Sequence, residues 1–343
     1  MVGIIYHVPT SRSIFTQDVT AWEPTEIVEL IASDKHMKVL VATEKPFAKK
    51  AVDGIREIIE TAGCELALLE KYTDKAQLLE AVADTEALII RSDKVTSEVI
   101  AAAKNLKIVV RAGAGYDNVD LAAATERGIV VMNTPGQNSN AVAELALSFM
   151  IYMSRNRFTP GTGREIQGKT LGIHAYGNVG KLVGRKGKAL GMNVIAFDPF
   201  ITDPAVFEAD GVKAVSSIEE LYAQSDFLSL HIPATPETKK SIGRKLLTSM
   251  PKGAVLVNTA RKEVIDEAGL AEALQEREDL KYITDIAAET QAELNEKFGN
   301  RVFATPKKMG AETAEANINA GLAAARQVVG YLKEGITRFQ VNK

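Results

Sequence analysis

The stretch LGIHAYGNVGKLV (residues 171–183) combines an apolar strand, a tight glycine-containing turn and the first residues of a helix. A dinucleotide-binding fold uses glycine where the backbone approaches the pyrophosphate and where the helix packs on the strand. Gly177 and Gly180 occupy these two positions, whereas Ala175 replaces the first of the three usual glycines. Asp198 ends the next predicted strand, where a carboxylate accepts hydrogen bonds from the adenosine ribose and repels a 2′-phosphate. The pattern therefore predicts NAD as the cofactor, in preference to NADP.

Apolar runs alternate with helical patterns along most of the chain. The runs outside this motif lie at residues 38–42, 87–90, 107–110, 128–133, 193–198, 227–233, 254–260 and 282–287. Residues 48–63 lie between two of them and have apolar side chains at helical spacing. Repeated strand–helix units of this kind form parallel sheets covered by helices. We therefore predict an α/β fold with two doubly wound domains.

The pattern changes at the turn cluster TPGQNSN, near residues 135–140. Residues 141–155 follow as a helix that is apolar around much of its circumference, which is typical of a helix buried between domains. A Pro/Gly-rich linker comes next, and the last helix of the chain is expected to return to the first domain. The predicted domains are an NAD-binding domain at 136–313 and a substrate-binding domain formed by 37–135 and 314–343.

Residues 1–36 are interpreted as an N-terminal extension. They lack the basic start and apolar core of a secretory signal and carry several acidic residues. Two interpretations stay open: a dispensable extension, or a helix at residues 24–32 that docks on the rest of the protein.

The composition of the 343 residues excludes several classes of protein. Hydrophobic residues make up 46% and charged residues 25%, which is ordinary for a globular protein. The formal net charge of −3 leaves no basic surplus for nucleic-acid binding. Cys64 is the only cysteine, so no intrachain disulfide and no cysteine-based zinc site can form, and no metal is expected. No apolar run reaches the roughly 18 residues of a membrane span, and the sequence predicts a cytoplasmic protein.

Three further blocks follow one another along the chain. They are RAGAGYDNVDLAAATERGIVVMNTPGQNS (111–139), LSLHIPATPETKKSIG (228–243) and VNTARKEVIDEAGLAEAL (257–274). In combination they resemble the D-2-hydroxyacid dehydrogenase family. The resemblance implies a Rossmann NAD domain inserted in a flavodoxin-like substrate-binding domain, hydride transfer between NAD and a D-2-hydroxy acid, and a homodimer.

Within the family, the sequence is most similar to members that oxidise D-3-phosphoglycerate to 3-phosphohydroxypyruvate in L-serine biosynthesis. Two alternatives stay open. The chain could be a dehydrogenase of an unphosphorylated D-2-hydroxy acid such as glycerate. It could also be a non-enzymatic NAD(H)-sensing protein, like the corepressors that share this fold.

The resemblance also implies roles for individual residues at the cofactor. Asp285 aligns with the aspartate that holds the nicotinamide carboxamide, and His231 and Pro233 align with a loop that runs past the cofactor. The full set expected to bind NAD is Tyr176, Gly177, Asn178, Val179, Gly180, Asp198, His231, Pro233, Thr259, Ala260, Arg261 and Asp285.

Arg261 is the arginine that, by the resemblance, clamps the substrate carboxylate and the oxygen at C2. Arginine suits this role because its planar fork meets a carboxylate with two parallel hydrogen bonds. The remaining expected substrate residues are a turn whose amides hold the carboxylate (Gly113, Ala114, Gly115), a pair at the distal end of the substrate (Arg91, Ser92) and Asn138.

The sequence departs from the family at its acid–base residues. The family histidine follows a Thr-Pro pair near the end of the NAD domain, but here that segment reads FATPKKMGAET (303–313). A subgroup of short family members similarly carries lysine at this place. We predict Lys307, which directly follows Thr305-Pro306, as the acid–base group, with Lys308 as the alternative. The position of the family glutamate is Thr290 here, and Glu289, one residue earlier, is the nearest carboxylate. Glu289 is the candidate third catalytic residue, and a solvated loop glutamate is the alternative.

Overall fold

The computed structural model describes residues 37–343. The predictions for residues 1–36, including the helix at 24–32, lie outside the described residues. Within the described part of the chain, parallel strands alternate with helices and form two sheets.

The first sheet has five parallel strands in the order β2-β1-β3-β4-β5. Its strands are β1 (Lys38–Thr43), β2 (Glu65–Glu70), β3 (Ala87–Ile90), β4 (Ile108–Arg111) and β5 (Val130–Asn133). Its helices are α1 (Lys49–Thr61), α2 (Lys75–Ala81), α3 (Ser97–Ala102) and α4 (Leu121–Glu126). All four residues of β3 are fully buried, because helices cover both faces of a doubly wound sheet.

The second sheet has seven parallel strands in the order β12-β11-β10-β9-β6-β7-β8. Its strands are β6 (Thr170–His174), β7 (Asn193–Phe197), β8 (Lys213–Ala214), β9 (Phe227–Leu230), β10 (Val255–Asn258), β11 (Lys281–Thr284) and β12 (Val302–Ala304). Its helices are α5 (Ser139–Ser154), α6 (Asn178–Ala189), α7 (Ala205–Glu208), α8 (Ile218–Gln224), α9 (Arg244–Thr248), α10 (Glu267–Glu276) and α11 (Gln291–Phe298). The strand order reverses at β6, which is where a doubly wound sheet binds its ligand.

The last helix, α12 (Ala314–Glu334), returns to the first sheet. Its buried face, which includes Ala324 and Val328, belongs to the same apolar core as Val39 and Ile55. Helix α5 shares its core with the second sheet, where Met150 packs with Ile173. We propose that the domain boundaries lie at 135/136 and 313/314, because the chain leaves the first sheet after β5 and rejoins it with α12.

The structure confirms the α/β fold class and most of the predicted strands. Sequence patterns missed β2, β8 and β12. Strand β2 lies at the edge of its sheet and has only partly buried residues among exposed ones, and its apolar run of residues 66–69 is bounded by Glu65 and Glu70. Strands β8 and β12 have two and three residues, which is too short for a periodic pattern.

Candidate active site

A cleft runs past the carboxyl ends of strands from both sheets. It consists of three adjoining cavities of about 480, 260 and 150 Å³ that share lining residues. We call them the central, the nicotinamide-side and the distal cavity. Arg261 and Lys308 line the central and nicotinamide-side cavities, and Arg111 lines the central and distal ones. The three cavities therefore form one continuous site.

The glycine turn before α6 has the geometry of a phosphate-binding loop. Ala175 adopts φ +76°, the left-handed conformation that favours the glycine usually found there. A Cβ on Gly177 would meet nothing within 4 Å, so the space above this N-cap residue is open. A Cβ on Gly180 would lie 2.2 Å from the carbonyl oxygen of Ala175, so only glycine lets the helix approach the turn. The start of α6 is thereby exposed to an anion that its dipole and amides can bind.

Asp198 lies at the end of β7 and is held beside this turn. Its Oδ2 accepts a hydrogen bond from the backbone amide of Tyr176 at 2.8 Å, and Oδ1 accepts one from that of Phe200 at 3.0 Å. An ionised carboxylate has about four acceptor sites, so two stay available to ribose hydroxyls.

The nicotinamide-side cavity contains polar atoms that need a partner. Asp285 is buried, and its Oδ2 accepts hydrogen bonds from the amides of Gly310 (2.7 Å) and Met309 (3.2 Å), but its Oδ1 has no partner in the described structure. Thr259 Oγ1 and His231 Nε2 are likewise buried without a partner there. Unpaired buried polar atoms are costly. A carboxamide, which offers both a donor and an acceptor, would satisfy them, so the residues present fit a nicotinamide ring.

The two histidines near this cavity are neutral at physiological pH. Burial, followed by the neighbouring His174, lowers the pKa of His231 to about 3. Burial also lowers the pKa of His174 to about 4, against the opposing charge of Asp198. Neither imidazole is therefore well matched to take a proton from an alcohol near pH 7.

Arg261 follows β10, and the structure places it against the glycine turn of the first sheet. The Asn258 side chain accepts from the amide of Ala260 and donates to the carbonyl of Arg261, both at 3.0 Å, which holds the loop in shape. Arg261 Nη2 lies 3.4 Å from the point where a Cβ on Gly115 would be. Within residues 37–343, the amides of Ala114 and Gly115 have no hydrogen-bond acceptor. An arginine fork and two unpaired amides thus meet at one place, which suits a carboxylate.

Arg111 also belongs to the site, although the sequence analysis did not select it. Its guanidinium occupies the space of a Cβ on Gly113, with Nη1 1.6 Å from that point, so a side chain at residue 113 would displace the guanidinium of Arg111. Arg111 Nε donates to the carbonyl of Arg91 at 3.0 Å. Burial, followed by the neighbouring charge of Arg91, lowers the pKa of Arg111. The sequence feature that could have identified Arg111 is its position at the end of β4, as the first residue of the block RAGAGYDN.

The distal cavity is lined by Arg91, Ser92, Lys45 and Arg111. Arg91 Nη1 donates to the carbonyls of Lys45 (3.0 Å) and Pro46 (3.2 Å), and Nη2 donates to Asn317 Oδ1 (2.5 Å). Part of the guanidinium of Arg91 therefore holds neighbouring segments together. The cavity has three cationic side chains against one lining carboxylate, that of Glu312.

The structure places the two candidate lysines differently. Lys308 lines the central and nicotinamide-side cavities together with Arg261, whereas Lys307 lines none of the three cavities of the cleft. In this turn, Thr305 Oγ1 donates to the carbonyl of Lys307 at 2.7 Å, and the next residue, Lys308, lines the cleft. The sequence alone could not show this, since the segment contains an extra residue and spacing permits either lysine.

The surroundings of Lys308 favour its neutral form. The side chain of Lys308 lies in an open cleft and is exposed to solvent. Its ammonium group is nevertheless surrounded by protein atoms that displace part of its water. This crowding lowers its pKa, and the charges of Arg261 and Arg111 lower it further, while Asp285 and Asp117 oppose them. Lysine with a lowered pKa can act as a base nearer to neutral pH.

Glu289, the candidate third catalytic residue, lines none of the three cavities of the cleft. Its side chain is 79% exposed and forms an ion pair at 3.2 Å with Nζ of Lys262, a lining residue of the central cavity. Its loop is held there because the amide and hydroxyl of Thr290 both donate to Glu267 Oε2. The lining carboxylates of the central cavity are instead Asp117, Glu263 and Glu312.

Comparison with known proteins agrees with this geometry. Residues 147–307 match the model of the D-isomer specific 2-hydroxyacid dehydrogenase NAD-binding domain. The chain is 40% identical to a D-3-phosphoglycerate dehydrogenase of Methanocaldococcus jannaschii over 84% of its own length and 57% of that protein. It is 36% identical to a hydroxypyruvate reductase of Thermotoga maritima over 77% of its own length and 90% of that protein. A crystal structure of NAD+-bound 3-phosphoglycerate dehydrogenase from Entamoeba histolytica is 50% identical, covers 90% of this chain and 99% of that chain, and has a TM-score of 0.81.

The chain belongs to the D-isomer specific 2-hydroxyacid dehydrogenases. This confirms the family resemblance, and the NAD-binding family model and the NAD+-bound structure confirm NAD as the cofactor. The chain spans less than three fifths of the length of the two D-3-phosphoglycerate dehydrogenases from Methanocaldococcus jannaschii and Archaeoglobus fulgidus that it matches. Among residues 37–343, no helix is both long and apolar enough to cross a membrane.

Proposed function

We propose that the protein oxidises D-3-phosphoglycerate to 3-phosphohydroxypyruvate, in the direction of serine biosynthesis, by hydride transfer to NAD. The observation that carries this proposal is the distal cavity, where Lys45, Arg91 and Arg111 form a cationic end to the cleft that contains Arg261 and Lys308. The substrate has a carboxylate at one end and a phosphate at the other, so it matches a cleft with cations at both ends. Its relatives named D-3-phosphoglycerate dehydrogenase support the same substrate.

The residues of the cleft divide the chemistry between them. Arg261 and the amides of Ala114 and Gly115 hold the carboxylate and the oxygen at C2. Neutral Lys308 accepts the proton of the C2 hydroxyl at Nζ, and Arg261 stabilises the negative charge that develops on that oxygen. The nicotinamide-side cavity would hold the nicotinamide of NAD, which would supply the hydride acceptor for C2. Asn138 lines all three cavities and orients the substrate between them.

The cofactor is held by the glycine turn and by residues on the nicotinamide side. We assign the pyrophosphate to Tyr176, Gly177, Asn178, Val179 and Gly180, and the adenosine ribose to Asp198. The nicotinamide end is assigned to His231, Pro233, Thr259, Ala260 and Asp285, five of the lining residues of the nicotinamide-side cavity.

An unphosphorylated 2-hydroxy acid is the second candidate substrate. The carboxylate of Glu312 lines both the central and the distal cavity, where it repels a phosphate. A relative named hydroxypyruvate reductase supports the same alternative. A non-enzymatic NAD(H)-sensing role is disfavoured, because Arg261 and Lys308 share one cavity.

The test is an assay of NADH formation with 3-phosphoglycerate, D-glycerate and D-lactate. We expect the highest kcat/KM with 3-phosphoglycerate. A higher value with D-glycerate would support the second candidate, and no turnover of any of the three would support the sensing role.

Arg91→Ala should raise KM for 3-phosphoglycerate by about 10-fold or more and leave KM for D-glycerate nearly unchanged, because one charge-assisted contact with the phosphate is lost. Steady-state kinetics on both substrates checks this. Arg56→Ala is the control, since Arg56 pairs with Glu60 on the exposed face of α1. Equal losses on both substrates would remove Arg91 from the phosphate site.

Asp198→Ala should weaken NAD binding and narrow the preference for NAD over NADP, because the ribose hydroxyls lose an acceptor and a 2′-phosphate is no longer repelled. Titrations with both cofactors measure the change. Asp203→Ala, five residues along the chain and exposed, should leave the preference as it is. An unchanged ratio in Asp198→Ala would contradict the assignment.

We also propose a homodimer. Ile151 and Phe158 are exposed, the latter by 71%, at the end of α5 and just after it. A surface cavity beside them is lined by Ser154 and Arg164, whose Oγ and Nη2 are buried without partners in the described chain. A second copy would cover the exposed apolar side chains of Ile151 and Phe158. Light scattering on the purified protein tests this.

A further inference from the structure

Asp93 is a buried carboxylate in the loop after β3, two residues beyond Arg91. It is only 3% exposed. Its Oδ1 accepts hydrogen bonds from the backbone amide of Glu44 at 2.7 Å and from the hydroxyl of Tyr72 at 2.9 Å. Its Oδ2 accepts one from the backbone amide of Arg91 at 3.2 Å. A carboxylate can stay buried in this way because hydrogen-bond donors replace the lost water.

The three donors come from three different segments. Glu44 follows β1, Tyr72 follows β2 and Arg91 follows β3, and these strands are neighbours in the first sheet. Burial raises the pKa of Tyr72, and its hydrogen bond to Asp93 raises it further, so the hydroxyl stays protonated and remains a donor. One side chain therefore connects the loops at the carboxyl ends of three adjacent strands.

Two of these loops carry the distal cavity. The loop after β1 supplies Lys45, and the loop after β3 supplies Arg91 and Ser92. A second contact joins the loops after β1 and β3, because the guanidinium of Arg91 donates a hydrogen bond to the carbonyl of Lys45. Asn118 Nδ2 donates to the carbonyls of Asp93 (2.6 Å) and Arg91 (3.2 Å). These bonds hold the loop after β3 against the loop after β4. The separation of the cationic groups is thus determined by the contacts around Asp93.

We propose that Asp93 is a positioning residue that determines the preference for a substrate with a phosphate at its far end. Asp93 lines none of the three cavities. It acts by holding the loops of Lys45 and Arg91 at the spacing that a phosphate requires. This proposal rests on the proposed function of the cleft.

Asp93→Asn keeps the size of the side chain but replaces one acceptor oxygen with a donor, so one of its present donors loses its partner. We expect KM for 3-phosphoglycerate to rise by about 10-fold, with kcat within about 2-fold of the wild type and KM for D-glycerate unchanged. Asp53→Asn makes the same substitution at an exposed site that pairs with Lys49, and it should change nothing. Tyr72→Phe removes a single donor and should give a smaller rise in the same KM.

A binding measurement separates this proposal from the proposed function. Phosphoglycolate has a carboxylate and a phosphate but no C2 alcohol to oxidise, so calorimetry reports its binding without turnover. If the wild type neither binds phosphoglycolate nor oxidises 3-phosphoglycerate, the proposed function and the role of Asp93 both fail. If the wild type does both, and Asp93→Asn and Tyr72→Phe match it in binding and in KM, only the role of Asp93 is overturned. A fall in kcat on both substrates with unchanged KM would likewise contradict positioning at the distal end.

Discussion

Lys308→Ala is expected to lower kcat by about 100-fold or more in both directions, the usual size of a general acid–base contribution. The affinity for NADH should change little, because Lys308 acts on the proton of the C2 hydroxyl and not on the cofactor. Stopped-flow and steady-state assays of oxidation and reduction measure the loss, and fluorescence titration measures NADH binding.

Lys307→Ala is the matched control. It changes the adjacent lysine, which lines none of the cavities of the cleft, and should retain wild-type kcat. If Lys307→Ala is inactive and Lys308→Ala is active, the placement of the two lysines in the turn is wrong. Full activity of the double variant would exclude lysine as the base.

The pH dependence follows from the lowered pKa of Lys308. Alcohol oxidation requires the neutral amine, so its rate should rise with pH and reach a plateau above the pKa of Lys308. Because crowding by the protein and Arg261 lower this pKa, the rise should occur below the 10.5 of an ordinary lysine. Reduction of the keto acid requires the protonated amine and should fall over the same interval.

Arg261→Ala should reduce kcat/KM by roughly 1,000-fold, because two charge-assisted hydrogen bonds at about 1.5–3 kcal/mol each are lost together. Both KM and kcat should change, since Arg261 holds the ground-state carboxylate and also the oxygen that becomes negative. Measurement of both constants with the preferred substrate tests this.

Arg261→Lys distinguishes charge from geometry. It keeps one positive charge but loses the planar fork, so it should recover only part of the activity. Arg244→Ala is the control, because Arg244 is exposed and pairs with Glu276. Arg261→Ala with near-normal kcat/KM would show that the amides of Ala114 and Gly115 bind the carboxylate without it.

The sequence located the segments that carry the candidate catalytic side chains but not the directions in which those side chains point. Local sequence predicted that the acid–base group lies in the segment 303–313, and Lys308 does line the cleft from there. It favoured Lys307 although spacing permits either lysine, whereas in the folded segment Lys308 lines the cleft and the carbonyl of Lys307 accepts a hydrogen bond from Thr305. Glu289 was selected by its distance from Asp285 along the chain, yet its loop is held on the surface by Glu267 and Lys262.

By itself, the sequence determined the two-sheet α/β architecture, the family and the cofactor. These depend on patterns that lie within a few dozen residues: apolar runs, the turn around Gly177 and Gly180, and Asp198 after the next strand. Only the tertiary structure decided how Arg111, Arg91 and Lys45 share one cavity, and how Asp93 connects the loops that carry two of them. The physical reason is that parallel strands far apart in sequence end at one edge of the sheet, so the contacts between their loops are long-range. A pattern of neighbouring residues in the sequence cannot predict those contacts.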